Sequence, residues 1–512
     1  MAVLGILAPI VAAVALVFAY GLASWIKKMD NGTGQMKEIA GAVREGAMAF
    51  SSMEYKAMIV VIIILFAIIG FFTSWVTAGL YVIGSAFSVL TGFFGTKAAA
   101  SGNVRTVNAA QEGSMNKALK VAFRSGAVMG LCVAGFGLLG VGLIVAILGA
   151  ADLIQVIIGF ALGVSSMALF DCVGGGIYKK VAANLFDSYV GSMISAVVLA
   201  VAIPVIVPRF GGSFTLNPAS GALFPMLLSA IGIIASMIGI MLVRGGKSTD
   251  PGPALNKGIY ASNAIVLIGS IVLSKALLGT FNCAIASITG LIVGTIIGKI
   301  TELYTSKMRL TVWLIICVAV GILVANAFAG LYGIALAAVG ILSTTATVVA
   351  AYAYGPVSNK AGSSFAIGSA ALTAIALFMV YSKLAHLSSV SLLDPMVLAG
   401  LFIGAILPFF FFGLTMKSAK APLRGILAPG LLAIIAPLTV GIIMGAEVVG
   451  GMLAGAIISG VLIASIMANA GESFDSIKKY VEEGSSINIF IKLMAIVAIV
   501  FCEQFVKIGG LI

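Results

Sequence analysis

Acidic side chains are scarce in this chain: 17 aspartates and glutamates among 512 residues, with only 9% of positions charged at all. So little charge excludes a water-soluble globule, because too little polar surface exists to coat one. Cysteine is equally thin. Cys132, Cys172, Cys283, Cys317 and Cys502 sit in or beside apolar runs with no paired spacing, which argues against a disulfide framework or a zinc site and leaves them as small apolar packers. The one histidine, His386, falls in a connection beside Lys383 and is given no catalytic role. No Ser- or Pro-rich linker, low-complexity tract or polar domain breaks the chain, so residues 1–512 read as a single transmembrane domain.

What fills the space is apolar: 61% hydrophobic residues and 62 glycines. A span needs about 20 apolar residues. Runs of that kind begin near positions 3, 58, 78, 119, 153, 187, 222, 262, 282, 310, 330, 364, 394, 426, 448 and 486, so the expected fold class is an all-α membrane protein of about 16 transmembrane helices. The first run is too long for the apolar core of a signal peptide and lacks a basic segment before it, so it reads as a mature span.

The net charge of +12 does not mark nucleic acid as a partner, because the basic residues alternate by loop instead of gathering in a patch. Of 29 lysines and arginines, 24 fall in the loops after odd-numbered spans; Arg209, Lys275, Lys383, Lys492 and Lys507 fall elsewhere. The positive-inside rule then puts the basic loops in the cytoplasm and both termini outside, in a plasma or inner membrane, with attraction to anionic lipid. Small residues saturate spans such as AGLYGIALAAVGILS (329–343) and GGMLAGAIISGVLIAS (450–465), the composition of a tightly packed bundle. Met36, Ile39, Val43, Ala47 and Phe50 recur at helical spacing, predicting an amphipathic helix that lies on the bilayer or extends span 2. GGGIYKKVA, YGPVSNKAG and FDSIKKYVEEG, after spans 5, 11 and 15, form a weak internal echo.

Chemistry concentrates in few places. In DCVGGGIYKKVAANLFDSYVG (171–191), Gly174 to Gly176 suit a helix end, and their N–H groups with Lys179 and Lys180 also suit an anion. Asn184 and Asp187 have capping-box spacing, and an acid in the first turn of a span is equally placed to meet an ion. In SSINIFIKLM, Lys492 stands six residues past Ser486, about 9 Å along a helix. An ammonium there either snorkels back to the loop or has a carboxylate partner; the expected partner is Asp187, with Ser165 and Asn488 as neutral hydrogen-bonding neighbours. Asp475 precedes Lys479 by four residues, the spacing of a surface-helix pair. Asp171 follows ALF with no arginine near it in sequence.

Taken together the chain resembles the ion-translocating membrane pyrophosphatases, which couple hydrolysis of pyrophosphate to pumping of protons or sodium. The resemblance runs along nearly the whole chain through EIAGAVREGAMAF (38–50), GNVRTVNAA (102–110), ALKVAFRSGAVMGL (118–131), ALFDCVGGGIYKK (168–180), NLFDSYVGS (184–192), TELYTS (301–306), AGLYGIALAAVGILST (329–344), AYGPVSNKAG (353–362), FAIGSAALTA (365–374), DPMVLAGLFIGAILPF (394–409), APGLLAIIAPLTVG (428–441), ANAGESFDSIKKYVEEG (468–484) and SINIFIKLM (486–494). It implies an inner ring of six helices, an outer ring of ten, and a homodimer.

The departures from the family pattern are selective. The D-V-G-A-D-L-V-G-K-x-E and D-N-V-G-D segments expected after span 5 are absent, and A-D-L-F-E-S-Y becomes Ala183-Asn184-Leu185-Phe186-Asp187-Ser188-Tyr189. Cys172 stands where A-R-V-G-G-G carries arginine, with Asp171 in place of the alanine before it. In D-A-Y-G-P-I-A-D-N-A-G the two acid positions are Tyr352 and Asn359, and the asparagine is Lys360. The acidic segment G-D-T-V-G-D-P-F-K-D-T-S-G is missing between Gly484 and Ser486, as are the potassium-sensitive A-T-N and G-N-T segments. Magnesium pyrophosphate needs clustered hard oxygen ligands and a fixed base for the attacking water. Without them hydrolysis is expected to be lost and no cofactor is expected, Mg2+ entering only if hydrolysis is retained.

The resemblance assigns an ion gate to Ser165, Asp187, Asn488 and Lys492, and leaves Lys179, Lys180, Lys478, Lys479 and Asp475 as a residual anion site, with no catalytic residue or metal ligand assigned. Three readings follow: a non-hydrolysing transporter of protons, sodium or a small solute; a reduced but active ion-translocating pyrophosphatase; or a membrane scaffold that binds lipid or a partner protein.

Overall fold

Inside a bilayer the backbone must satisfy its own polar groups, which leaves helices or closed barrels. The computed structural model takes the first course, and it describes residues 2–113, 115–148, 153–174, 177–210, 212–243, 252–303, 309–352, 356–387, 389–417, 422–470 and 478–509. The helices are α1 (Ala2–Lys27), α2 (Gly34–Phe72), α3 (Trp75–Gln111), α4 (Met115–Leu148), α5 (Leu153–Gly174), α6 (Ile177–Ala202), α7 (Pro218–Leu242), α8 (Gly252–Leu278) and α9 (Asn282–Leu303). There follow α10 (Arg309–Leu342), α11 (Thr345–Tyr352), α12 (Pro356–Leu384), α13 (Pro395–Lys417), α14 (Pro422–Met444), α15 (Ala446–Ala470), α16 (Lys478–Val500) and α17 (Cys502–Gly509). Among the described residues, 13 helices are long and apolar enough to cross a membrane. The protein is an all-α, multi-pass membrane protein.

Local chemistry sets the ends. Thr33 and Ser74 cap α2 and α3 by accepting the N–H groups of Met36 and Val76, and Asn217 caps α7 ahead of Pro218, whose missing N–H costs nothing at a first helical position. The amphipathic stretch from Met36 to Phe50 is continuous with the apolar run that follows, so it is the first part of α2. Arg105 of α3 donates to the carbonyls of Lys27 and Met29 and so closes the end of α1.

Within α10 the helix breaks at Ala329 and Gly330, where Gly330 has φ 58° and ψ −149°, a conformation open essentially only to glycine. The break frees the carbonyl of Ala327. A short antiparallel ribbon, β1 (Val205–Ile206) with β2 (Phe214–Thr215), leans on the break, and its connecting turn supplies the N–H groups of Arg209 and Phe210 to that carbonyl at 2.9 and 3.1 Å.

Burial separates inner helices from outer ones. The apolar windows of α5 and α6 are each 89% buried and that of α12 is 83% buried, against 22% for α8 and 28% for α1. Residues 486–500 of α16 are buried throughout. On the outer helices large apolar side chains such as Val17, Phe71, Ile147 and Leu323 stand exposed, as a lipid-facing surface requires.

Neighbouring helices approach through glycine. Gly400 and Gly404 of α13 face the carbonyls of Val448 and Met452 on α15, while Gly451 and Gly455 of α15 face those of Val397 and Leu401 on α13. The same contact joins α3 to α5, where Gly84 meets the Phe160 carbonyl and Gly163 meets that of Tyr81. Without a hydrophobic drive between helices in lipid, such backbone contact is a main source of association. Gly404→Val is therefore expected to lower the thermal unfolding midpoint in detergent, at a cost of about 1–3 kcal/mol or more from overpacking. Gly79→Val, at a position with open space around it, is expected to leave the midpoint nearly unchanged.

Candidate functional site

Three of the inner helices, α5, α6 and α16, meet along a polar seam in an otherwise apolar core. Asp187 lies on α6 and is buried. One of its carboxylate oxygens accepts a hydrogen bond from the Ser165 hydroxyl on α5. The other is 2.6 Å from Lys492 Nζ on α16. The same ammonium donates to Ser188 Oγ at 2.7 Å and to Asn184 Oδ1 at 3.4 Å. Every donor on that ammonium is thus directed at α6, which is the condition for keeping a charge in a dry interior.

Two alternatives that the sequence left open are decided here. Helix α16 begins at Lys478, so Lys492 lies fourteen residues in, about 21 Å along the axis, and its side chain is fully buried. Snorkelling to the helix end is not what it does. Helix α6 begins at Ile177, so Asn184 and Asp187 lie inside it and are not a capping box. The run from Ile177 reads as polar, which concealed that α6 begins so early.

Asn488 lies one turn before Lys492 on α16, buried, and neither atom of its side-chain amide has a hydrogen-bond partner. The Asn184 Nδ2 group is likewise unpartnered. The four expected gate residues thus share one seam, with Ser165 and Lys492 both on Asp187 and Asn488 adjacent along α16. Ser188 joins them unannounced by the sequence; its one-turn spacing from Asn184 was the available signal.

The expected anion residues are placed differently. Lys179 Nζ is 2.7 Å from Asp171 Oδ1, and both side chains are buried. The sequence shows no arginine near Asp171, and the lysine eight residues on was the available signal. Lys180 is also buried, and its carbonyl accepts from the Cys172 thiol at 3.3 Å. Lys478 and Lys479 open α16, and Asp475 lies outside the described residues. Among the described residues no three His, Cys, Asp or Glu side chains come together as a metal site. Asp171 is engaged by the Lys179 ammonium.

Comparison with known proteins places this arrangement in context. The family model for inorganic H+ pyrophosphatase matches residues 13–184, 181–310, 307–365, 360–422 and 418–486. A protein of Clostridium tetani, provisionally named a K(+)-stimulated pyrophosphate-energized sodium pump, is 35% identical, covering 98% of this chain and 97% of its own. A K(+)-insensitive pyrophosphate-energized proton pump of Methanosarcina mazei is 29% identical over 93% of this chain and 91% of its own. A K(+)-stimulated pyrophosphate-energized sodium pump of Thermotoga maritima is 27% identical over 92% and 91%. The Clostridium tetani alignment extends over 670 residues against 512 in this chain, so this chain is the shorter partner.

Proposed function

The chain belongs to the inorganic H+ pyrophosphatase family, and from that premise we propose that it keeps the family's transmembrane ion gate while having lost hydrolysis of magnesium pyrophosphate. It would then be a non-hydrolysing transporter of protons, sodium or a small solute. One observation carries the reading: a single carboxylate, Asp187, held between Ser165 on α5 and Lys492 on α16 in the middle of the bundle. A buried ion pair is poor evidence of stability for its own sake, and within a membrane it marks an ion pathway more often than a scaffold.

Loss of hydrolysis is supported from the opposite end of the same helices. The family match divides into five stretches whose joins fall at the start of α6, between α9 and α10, in the first turns of α12 and between α13 and α14. Each join lies where an odd-numbered helix hands over to an even-numbered one, so the shortening gathers on one face of the membrane, the face that the basic loops assign to the cytoplasm. That face would hold the metal and the substrate. Its remaining acid on α5, Asp171, is committed to Lys179.

Sixteen passes belong to the same reading. Thirteen long spans, the two shorter apolar helices Met58–Phe72 and Ser486–Val500, and the division of α10 at Ala329–Gly330 support that number. An inner ring of six, an outer ring of ten, outward termini and a homodimer go with it, as does the residual anion site at Lys179, Lys180, Lys478, Lys479 and Asp475. A reduced but active pump is the second reading, favoured by relatives named as pyrophosphate-energized pumps across nearly their full length.

Purified chain in proteoliposomes is expected to pass protons or sodium down an imposed gradient without pyrophosphate, and Lys492→Ala is expected to reduce that flux at least tenfold. Flux equal to protein-free vesicles, or unaltered in folded Lys492→Ala, would remove the transport reading.

A further inference from the structure

Helices α5 and α6 are joined at two depths. At the depth of the gate, Ser165 donates to Asp187. Near their connection Asp171 pairs with Lys179 at 2.7 Å, both side chains buried. The two attachments are six residues apart on α5 and eight apart on α6, or about 9 and 12 Å along the helices. One attachment would leave α6 free to swivel or slide on α5; two at different depths fix both movements.

A third helix backs the second attachment. Gly92 of α3 lies so close that a Cβ on it would come to 2.9 Å of Asp171 Oδ2 and 3.8 Å of Lys179 Cε. The pair is therefore covered by α3. Helix α16 is tied to this hairpin by polar contacts of another kind: Asp187, Ser188 and Asn184 all meet a single side chain, Lys492, on a long flexible stem. Next to it on α16, Asn488 makes no side-chain hydrogen bond at all.

The geometry points to Asp171 and Lys179 as positioning residues that make α5 and α6 one rigid wall, so that Asp187 and Lys492 part by displacement of α16 against that wall. Neither residue touches the gate. They act through α6, by holding the helix that carries Asp187 at a fixed rotation and height on α5. The inference rests on the reading of Asp187–Lys492 as the gate, and its mechanical content is independent of which species passes.

Amide hydrogen exchange read by mass spectrometry on the full chain in nanodiscs tests it without any transport assay. In the wild-type chain, residues 165–172 and 181–188 are expected to exchange at one common slow rate. The charge-free Asp171→Asn/Lys179→Met variant is expected to exchange at least tenfold faster across 181–188, with 486–494 of α16 within twofold of wild type. The swapped pair, Asp171→Lys/Lys179→Asp, is expected to return 181–188 to within threefold. That rescue distinguishes pairing from a mere packing role. Wild-type exchange at least tenfold faster in 181–188 than in 165–172 would overturn the inference even if no variant folded, and so would an unchanged rate in the folded charge-free variant. A chain that behaves as expected here yet passes no ion keeps the clasp and loses only the transport reading.

Discussion

Lys492→Met by itself is expected to destabilise the folded chain by about 3–5 kcal/mol, and Asp187→Asn/Lys492→Met is expected to recover most of that loss. The asymmetry follows from where the charges sit. Both side chains are buried, and in the single variant the Asp187 carboxylate keeps only the Ser165 hydroxyl. An ionised carboxylate with one neutral donor in an apolar interior pays the desolvation cost of its charge without the ammonium that offset it. In the double variant no charge remains to be solvated. The hydrogen bonds from the Lys492 ammonium to Ser188 and Asn184 are lost in the single and the double variant alike, so they do not offset the recovery. Denaturant-induced unfolding in mixed micelles, followed for wild type, both singles and the double, gives the coupling energy directly. Equal midpoints for Lys492→Met and the double variant would show that Asp187 does not depend on Lys492 and would remove the observation on which the functional reading stands.

The second large effect concerns catalysis. With magnesium and pyrophosphate supplied, phosphate release is expected to be indistinguishable from that of an Asp475→Ala/Lys479→Ala control, at least a thousandfold below a typical enzyme turnover of about 10 s−1. Phosphoryl transfer gives a protein little covalent chemistry to perform; it needs cations clamped on the phosphate oxygens and a base or positioning group on the attacking water. Hard oxygen ligands hold those cations. The chain has 17 acids in all, and of those that the structure pairs, Asp171 faces a lysine across the α5–α6 connection. Magnesium-dependent phosphate release that vanished in the Asp475→Ala/Lys479→Ala chain would establish the reduced pump instead.

Much of the Asp187–Lys492 seam could be read from sequence because membranes make charge conspicuous. Lys492 in an apolar run demands a partner, and Asp187, an acid at the start of the apolar run near position 187, is the one expected from the sequence; the two are brought to 2.6 Å. The pairing of Asp171 was not legible in the sequence. Its partner is only eight residues away, but the sequence does not show that α6 begins as early as Ile177, which places Lys179 on that helix. The amphipathic stretch near Met36 left two outcomes open for a related reason: nothing local distinguishes a surface helix from an extension of a span, and continuity with the following apolar run was decided by the fold.

The sequence by itself determined that this protein lives in a membrane, that it is helical, where its apolar runs lie and which family it resembles, because those properties depend on composition and on order along the chain. Only the tertiary structure decided that Asp171 pairs with Lys179 and that Ser188 joins the Asp187–Lys492 pair. Lys492 and Ser188 are 304 positions apart, and hydropathy carries no record of which helix faces which. That choice is made by helix pitch and by close backbone approach at glycines such as Gly163 and Gly404, which fix the rotation of each helix and with it the direction in which every buried charge points.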